Sequence, residues 1–281
     1  MIFFFVIFCL FLLVLGIGNY RNWLVNEPKI NSYSIIIACR NEEHNLPELF
    51  RALDKIDYPH DKYEILIADD ASTDRSPELL KQYSQNNPIV SVIYLTTKDS
   101  EYKGKKAALK AATDLAKNDI LLFTDADCLP DKNWLSSYNK YFDEKIAMVI
   151  GFSPEVTDNK FLHFTQFLNA GLYSSTTGLG IPFSCTGRNF ALKKEVFFQI
   201  GGYDSFRTAV AGDDKLLLNR VFNQKYKIVY NAESPVYTKK SDDYIEQQKR
   251  RYSKFFQQRS FIKLLSIFIL LFYVFLPFQV L

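Results

Sequence analysis

The sequence predicts an α/β fold with a mostly parallel sheet, flanked by N- and C-terminal transmembrane helices. Three observations carry that prediction. Short apolar runs that read as buried strands alternate with helical stretches from residue 34 to residue 123. Polar, acid-rich clusters follow the first, second and fourth of these strands. Finally, residues 1–20 and 264–281 contain no charge, and each run is long enough to cross a bilayer core of roughly 30 Å as a helix.

The first apolar run lacks a basic leading region and a small-residue cleavage site, so it reads as an uncleaved anchor and not a signal peptide. The second is dense in Leu, Ile and Phe from Leu264 to Leu276, which favours lipid over a protein core. Arg21 and Lys29 follow the first span, and Lys254, Arg259 and Lys263 precede the second. By the positive-inside tendency both flanks lie in the cytoplasm, so residues 21 to 263 face the cytosol of a cell (inner) membrane. The chain stops inside its second apolar run, which leaves room for a longer parent chain.

The expected elements follow in order. Residues 34–38, Ser-Ile-Ile-Ile-Ala, form a strand, and Asn45 caps a helix that has Pro47 in its first turn. Residues 64–68 form a second strand, followed by a helix starting at Ser76-Pro77-Glu78. Residues 91–95 are a third strand, the alanine-rich stretch 105–116 a helix, and residues 120–123 a fourth strand. Most of these runs are apolar throughout, as a sheet covered on both faces requires. Beyond them, 147–152 and 228–230 read as strands, 193–200 and 215–222 as helices, and the glycine-containing stretch 176–187 as a mobile loop. Residues 242–256 read as an amphipathic basic helix. There is no internal repeat or low-complexity linker.

Ligands of open α/β sheets bind at the carboxyl ends of the strands. Arg40-Asn41-Glu42, Asp69-Asp70 and Asp125-Ala126-Asp127 are therefore expected to line one crevice. Each cluster alone is ordinary turn chemistry; three on one edge are harder to dismiss. Two carboxylates one residue apart at the end of a buried strand repel each other. They suit Mg²⁺ or Mn²⁺, whose other ligands are waters and substrate phosphates. A second acidic pair, Asp213-Asp214, precedes a helix and reads either as a cap or as a source of a general base.

Several classes are excluded. There is no Gly-x-Gly-x-x-Gly after the first strand, and Gly104-Lys105-Lys106 lacks the upstream glycine and Ser/Thr of a Walker loop. No His-Glu-x-x-His or Gly-x-Ser-x-Gly occurs, and His44, His60 and His163 are scattered. Cys9, Cys39, Cys128 and Cys185 show no metal or disulfide spacing and read as reduced. A net charge of +3 argues against a nucleic-acid partner. That charge is uneven: residues 239 to 263 hold eight Lys or Arg against three Asp or Glu, which suits anionic headgroups or a phosphate-bearing substrate.

The order of motifs resembles glycosyltransferase family 2, the inverting enzymes of GT-A fold, over roughly residues 33 to 252. The pieces are Ile-Ile-Ala-Cys-Arg-Asn-Glu-Glu, Ala-Asp-Asp-Ala-Ser-Thr-Asp, Gly-Lys-Lys-Ala-Ala-Leu, Thr-Asp-Ala-Asp, Thr-Gly-Arg-Asn-Phe-Ala, Gly-Gly-Tyr-Asp, Gly-Asp-Asp and Gln-Gln-Lys-Arg-Arg-Tyr. No single piece is specific; their order and spacing together are.

The resemblance implies roles position by position. Asp70 would read the nucleotide base, with Ala38, Arg40 and Glu42 lining the same pocket and Lys105 near base or diphosphate. Asp125 and Asp127 match the D-x-D motif that holds ribose, metal and diphosphate. Asp214 matches the base that deprotonates the acceptor, with Asp213 standing where the family has glutamate, which leaves the choice between them open. Gln248, Arg251 and Tyr252 match Gln-x-x-Arg-Trp, which contacts diphosphate and stacks the acceptor; Tyr252 is a smaller platform than tryptophan.

The expectation is therefore a membrane-anchored inverting glycosyltransferase that uses a nucleotide sugar, a UDP sugar first, with Mg²⁺ or Mn²⁺. The acceptor is a membrane lipid or a growing polysaccharide, and a partner subunit is left open. Its parts are an anchor (1–20), a GT-A domain (31–238, with a nucleotide-sugar half 31–127 and an acceptor half 128–238), a basic interfacial helix (239–260) and a second span (261–281). The rivals are an inactive sugar-binding or scaffold subunit and a nucleotidyltransferase. The first should have lost acids that are present here; the second should have a glycine-rich basic loop after the first strand, which is absent.

Overall fold

The computed structural model describes residues 2–23, 27–96, 101–102, 105–209, 212–239 and 263. The expected basic helix and second membrane span lie outside the described residues. The core is a seven-stranded sheet in the order β3-β2-β1-β4-β7-β6-β8. These strands are β1 (Tyr33–Cys39), β2 (Tyr63–Asp70), β3 (Val90–Leu95), β4 (Ile120–Asp125), β6 (Ile146–Gly151), β7 (Phe190–Lys193) and β8 (Lys227–Asn231). The sheet runs without a break across the two expected halves.

The apolar strand runs have a direct physical cause. Along β1, Ile35 and Ile37 point into a cluster with Leu46, Leu49 and Leu53 of α2 (Leu46–Leu53), Leu80 of α3 (Ser76–Asn86) and Trp134 of α5 (Trp134–Tyr138). Ile36 points the other way, toward Ala108 and Leu109 of α4 (Lys106–Leu115), Phe197 of α7 (Lys194–Gln199) and Leu217 of α8 (Asp213–Asn223). With helices on both faces, neither side of the strand meets water.

The sheet is mostly parallel, as expected, with one exception: β7 pairs antiparallel with both β4 and β6. Its four residues are too few to read as a strand from pattern alone. Two local expectations need correction. The stretch 176–187 is not all loop, because residues 176–178 are the last turn of α6 (Lys160–Gly178). That helix escapes a sequence reading because its second half is rich in glycine and hydroxyl residues, which are weak helix formers. Here the hydroxyls fold back onto the helix: Ser175 Oγ donates to Gly171 O (2.7 Å) and Thr176 Oγ1 to Leu172 O (2.9 Å). Asn45 does sit at the start of α2, but its side chain makes no cap bond and donates instead to Glu42 Oε2 at 2.7 Å.

The first apolar run forms α1 (Ile2–Trp23), long and apolar enough by length and composition to cross a membrane. Its last turns pack on the end of α6. A Cβ at Gly18 would stand 2.1 Å from Ser175 O, and one at Gly178 would stand 1.9 Å from Gly18 O, so only glycines permit this approach. The contact is pinned by Asn22, whose Nδ2 donates to Ser174 O and whose Oδ1 accepts from Tyr230 N of β8 (3.1 Å). A small second sheet pairs β5 (Cys128–Pro130) with β9 (Val236–Thr238). Through the partners Cys128 and Thr238 it brings residue 239 back beside the Asp125-Asp127 turn.

Candidate active site

Strand register assembles the crevice. Ala38 pairs with Ala68 on one side and Asp125 on the other, and Cys39 pairs with Asp69. The residues just beyond, Arg40 and Asp70, therefore stand at the same edge as Asp125, as the strand-end rule requires. Arg40 Nη1 lies 3.2 Å from Asp70 Oδ2, and the Asp70 carboxylate is almost wholly buried. The loops after β1 and β2 are laced together. Asn41 N donates to Ser72 Oγ (2.9 Å), Glu42 N to Ser76 Oγ (2.8 Å) and Arg75 N to Glu43 Oε2 (3.0 Å). Asn41 and Ala71 both take positive φ, 54° and 53°. Asn tolerates this conformation and Ala rarely adopts it, so tertiary contacts hold the turn.

Asp125, Asp127 and Glu42 face one another closely enough to act electrostatically. Burial, then the charge of Asp125, raises Asp127 above the usual carboxylate range, against the Cys128 thiol that donates to it at 3.3 Å. Burial also raises Glu42; its bond from Asn45 opposes this, while Asp127 and Asp125 add to it. Lys105 bonds directly to Asp125. Its ammonium is stabilised above the ordinary lysine value although burial works against it, because Asp125, Asp213 and Asp214 are all near.

The second acidic pair closes the far side. Gly212, with φ 88°, turns the chain into α8, whose first residues are Asp213 and Asp214. Asp213 Oδ1 lies 3.0 Å from the Nζ of Lys106, a lysine with no exposed side-chain surface. Burial raises Asp213, with Lys106 and Lys105 holding it down. Asp214 is held by backbone: Gly187 N donates to Oδ2 (3.2 Å) and Lys215 N to Oδ1 (2.9 Å). Tyr203, a buried ring, is raised well above the usual phenol value by burial and then by the charges of Asp213, Asp125 and Asp214.

The sequence-derived residues Ala38, Arg40, Glu42, Asp70, Lys105, Asp125, Asp127, Asp213 and Asp214 thus come together. Gln248, Arg251 and Tyr252 lie outside the described residues. Two participants were not singled out from sequence. One is Lys106, whose only signal was its place beside Lys105. The other is Arg188, which donates to Thr238 Oγ1 (2.9 Å), approaches Glu155 (3.8 Å) and lowers Asp127 by its charge. Arg188 lies inside the quoted Thr-Gly-Arg-Asn motif, but nothing in the sequence said which way it points.

Among the described residues no three of His, Cys, Asp and Glu gather into a cage for a cation. The pair Asp125 and Asp127 fits a different kind of ion. Two half-buried hard oxygen donors, one of which raises the other by its charge, suit a divalent cation that takes its remaining ligands from phosphate and water.

A doubly covered, mostly parallel sheet with carboxylates at its strand ends has the frame of an open α/β protein with its site at that edge. The comparisons then give the family. The model of glycosyl transferase family 2 matches residues 34–213, and the chain belongs to that family. It is 27% identical over 225 residues to the probable glycosyltransferase YdaM of Bacillus subtilis (strain 168), covering 75% of this chain and 51% of the relative. It is 24% identical over 207 residues to the glycosyltransferase AglE of Haloferax volcanii, covering 70% and 63%. A shorter match, 34% over 108 residues, is to the beta-monoglucosyldiacylglycerol synthase of Synechocystis sp., covering 38% and 22%. The chain thus spans about half to two-thirds of the first two relatives.

Among solved structures it resembles the mannosyltransferase PcManGT from Pyrobaculum calidifontis in complex with GDP-Man and Mn²⁺. The TM-score is 0.64 at 20% identity, covering 87% of this chain and 71% of that one. It also resembles S. aureus TarS 1-349 in complex with UDP-GlcNAc, with a TM-score of 0.56 at 18% identity, covering 75% and 59%. At these identities the likeness shows the shared fold, mixed α/β with a mostly parallel central sheet.

Proposed function

We propose that the chain is an inverting glycosyltransferase that moves a sugar from a nucleotide sugar, a UDP sugar first, to an acceptor at the cytoplasmic face of a membrane. The observation that carries this is the gathering of Asp125, Asp127, Asp213 and Asp214 around Lys105, with Asp70 and its partner Arg40 at the same strand-end edge, in a chain of this family. Arg40 and Asp70 receive the base. Asp125 and Asp127 hold Mg²⁺ or Mn²⁺, which supplies positive charge to the leaving diphosphate when bound; the structural neighbour PcManGT was solved with Mn²⁺.

Asp214 takes the acceptor's hydroxyl proton as the new glycosidic bond forms and the bond to diphosphate breaks. Its two backbone N–H partners fix the carboxylate without supplying it a proton. Asp213, tied to Lys106, positions the turn. From sequence alone, Gln248, Arg251 and Tyr252 complete the diphosphate and acceptor contacts, Arg251 with the planar fork that suits phosphate. The acceptor is a membrane lipid or a growing polysaccharide. Supporting that range, the relatives include a beta-monoglucosyldiacylglycerol synthase and a poly(ribitol-phosphate) beta-N-acetylglucosaminyltransferase.

The test is a donor screen on detergent-solubilised chain with Mg²⁺ or Mn²⁺, with lipid extract as acceptor, following release of UDP or GDP and separating products by size. Release from one nucleotide sugar with a glycosylated product supports the reading. A single-sugar lipid selects a lipid acceptor, and a ladder selects a polymer. Tight nucleotide binding without transfer to any acceptor, alone or with added partner proteins, would favour the inactive sugar-binding subunit.

A further inference from the structure

The face of α6 that receives α1 continues toward the start of α6, past the contacts with Gly18 and Asn22. At 100° per residue, Ser174, Ser175 and Gly178, which meet Gly18 and Asn22, share a stripe of about 120° with Phe164, Phe167, Leu168 and Gly171. Phe161 lies at its edge. Over this first half of the helix the apolar side chains are out in the open: Phe161 is 72% exposed, Phe164 58%, Phe167 52% and Leu168 56%. A Cβ at Gly171 would meet nothing within 4 Å. Four large apolar side chains on one helical stripe form a patch of the kind that marks an interaction surface.

The polar groups of the helix stand to the sides of this stripe. Gln166 is engaged with the preceding loop, accepting from Glu155 N (2.8 Å) and donating to Glu155 O (3.2 Å). Beside the stripe, Thr157, Asp158, Lys160, His163, Phe164 and Phe167 line an open cavity of about 480 Å³. An aromatic floor with a polar and charged rim matches the boundary between acyl chains and headgroups.

We propose that α6 is an interfacial helix whose Phe161, Phe164, Phe167 and Leu168 enter the lipid bilayer beside α1. The occupant is lipid and not a single covering helix because α1, packed on the end of the same helix, is itself apolar and exposed. There Phe5, Leu10, Leu12, Leu13 and Ile17, which point in several directions around the helix, are also exposed. One partner helix would cover the stripe and leave most of α1 bare; a bilayer covers both. The placement rests on α1 lying in the same bilayer and on none of the catalytic assignments. It has a consequence for the site. Glu155, gripped by Gln166 on the polar side of α6, approaches Arg188, whose charge acts on Asp127. Insertion of the stripe therefore sets the height of Arg188 above the membrane.

The experiment uses the full chain in phospholipid vesicles carrying brominated acyl chains, with tryptophan introduced singly as Phe164→Trp, Phe167→Trp or Leu10→Trp. Asn86→Trp, on the exposed end of α3, is the control. The signal of the native Trp23 and Trp134 is taken from the unsubstituted chain, and unchanged nucleotide affinity shows that each variant is folded. The expected result is quenching of positions 164 and 167 above the control, stronger with bromine near the headgroup than near the chain end, and quenching of position 10 at depth. Quenching at position 10 with none at 164 and 167 would overturn the proposal while leaving the anchor intact. That outcome would assign the stripe to protein, either residues 264–281 or a second copy. Quenching at none of the three would overturn both.

Discussion

The ammonium of Lys106 lies 3.0 Å from Asp213 Oδ1, and the lysine has no exposed side-chain surface. A fully buried lysine is tolerated only when paired. This pair reaches from the start of α4, beside the Lys105 that holds Asp125, to the start of α8, beside the proposed base. It braces the two acidic clusters against each other across the crevice.

Removing one partner of a buried pair strands the other charge, at a cost of about 3–5 kcal/mol. Lys106→Met is therefore expected to lower the thermal midpoint sharply, and Lys106→Met with Asp213→Leu to recover much of the loss. If Asp213 only positions the turn, the double variant keeps measurable transfer. A folded, nucleotide-binding double variant with no turnover would return Asp213 to the role of base.

The complementary substitution is Asp214→Asn. Its shape is nearly that of the carboxylate, although its single carbonyl oxygen accepts from only one of the Gly187 and Lys215 N–H groups that now bond to the two carboxylate oxygens. Nucleotide binding should stay within a few-fold of the parent while turnover falls by about 10²- to 10⁴-fold, the usual worth of a general base. Calorimetric nucleotide affinity and transfer rate on the same preparation separate the two effects, and retained turnover would exclude Asp214.

Acidity gives an independent reading of the Asp125-Asp127 pair. Asp127 is raised by burial and by Asp125, so the folded state without metal holds its proton to higher pH than the unfolded chain does. Between the ordinary carboxylate value and the raised one, the folded state binds more protons, and this group's contribution to stability falls as pH rises. In chelator, Asp127→Asn should remove that slope and be the more stable form at neutral pH. With Mn²⁺ present the order should reverse, because only the parent gains from binding the ion. Metal-dependent nucleotide binding in Asp127→Ala equal to that of the parent would exclude the metal assignment.

How much of this was legible in the sequence differs by residue, for physical reasons. Asp70 and Asp125 could be placed because parallel strands of nearly continuous apolar residues fix the register, and the polar residues that end them must share an edge. Lys106 could not be placed, since its burial depends on α8 arriving from more than a hundred residues away. Arg188 was visible as a residue but not as a charge acting on Asp127, because β7, which carries the chain past the site, is four residues long and runs against its neighbours. Helix α6 was hidden by the glycines and hydroxyls that let α1 approach it.

Those glycines support a last prediction, set within one helix. A Cβ at Gly178 would stand 1.9 Å from the carbonyl of Gly18, and backbone cannot swing aside as a flexible side chain does. Gly178→Ala is expected to separate α1 from α6 and cost about 1–3 kcal/mol, as overpacking does. At Gly171, nearly two turns earlier, the added methyl meets nothing within 4 Å. There alanine restricts the unfolded chain and favours the helix, so Gly171→Ala should stabilise by about 0.4–1 kcal/mol. Opposite shifts in the thermal midpoint of the detergent-solubilised chain would establish that α1 is packed as part of the catalytic domain. Equal shifts would mean that the contact between Gly18 and Gly178 contributes nothing to stability.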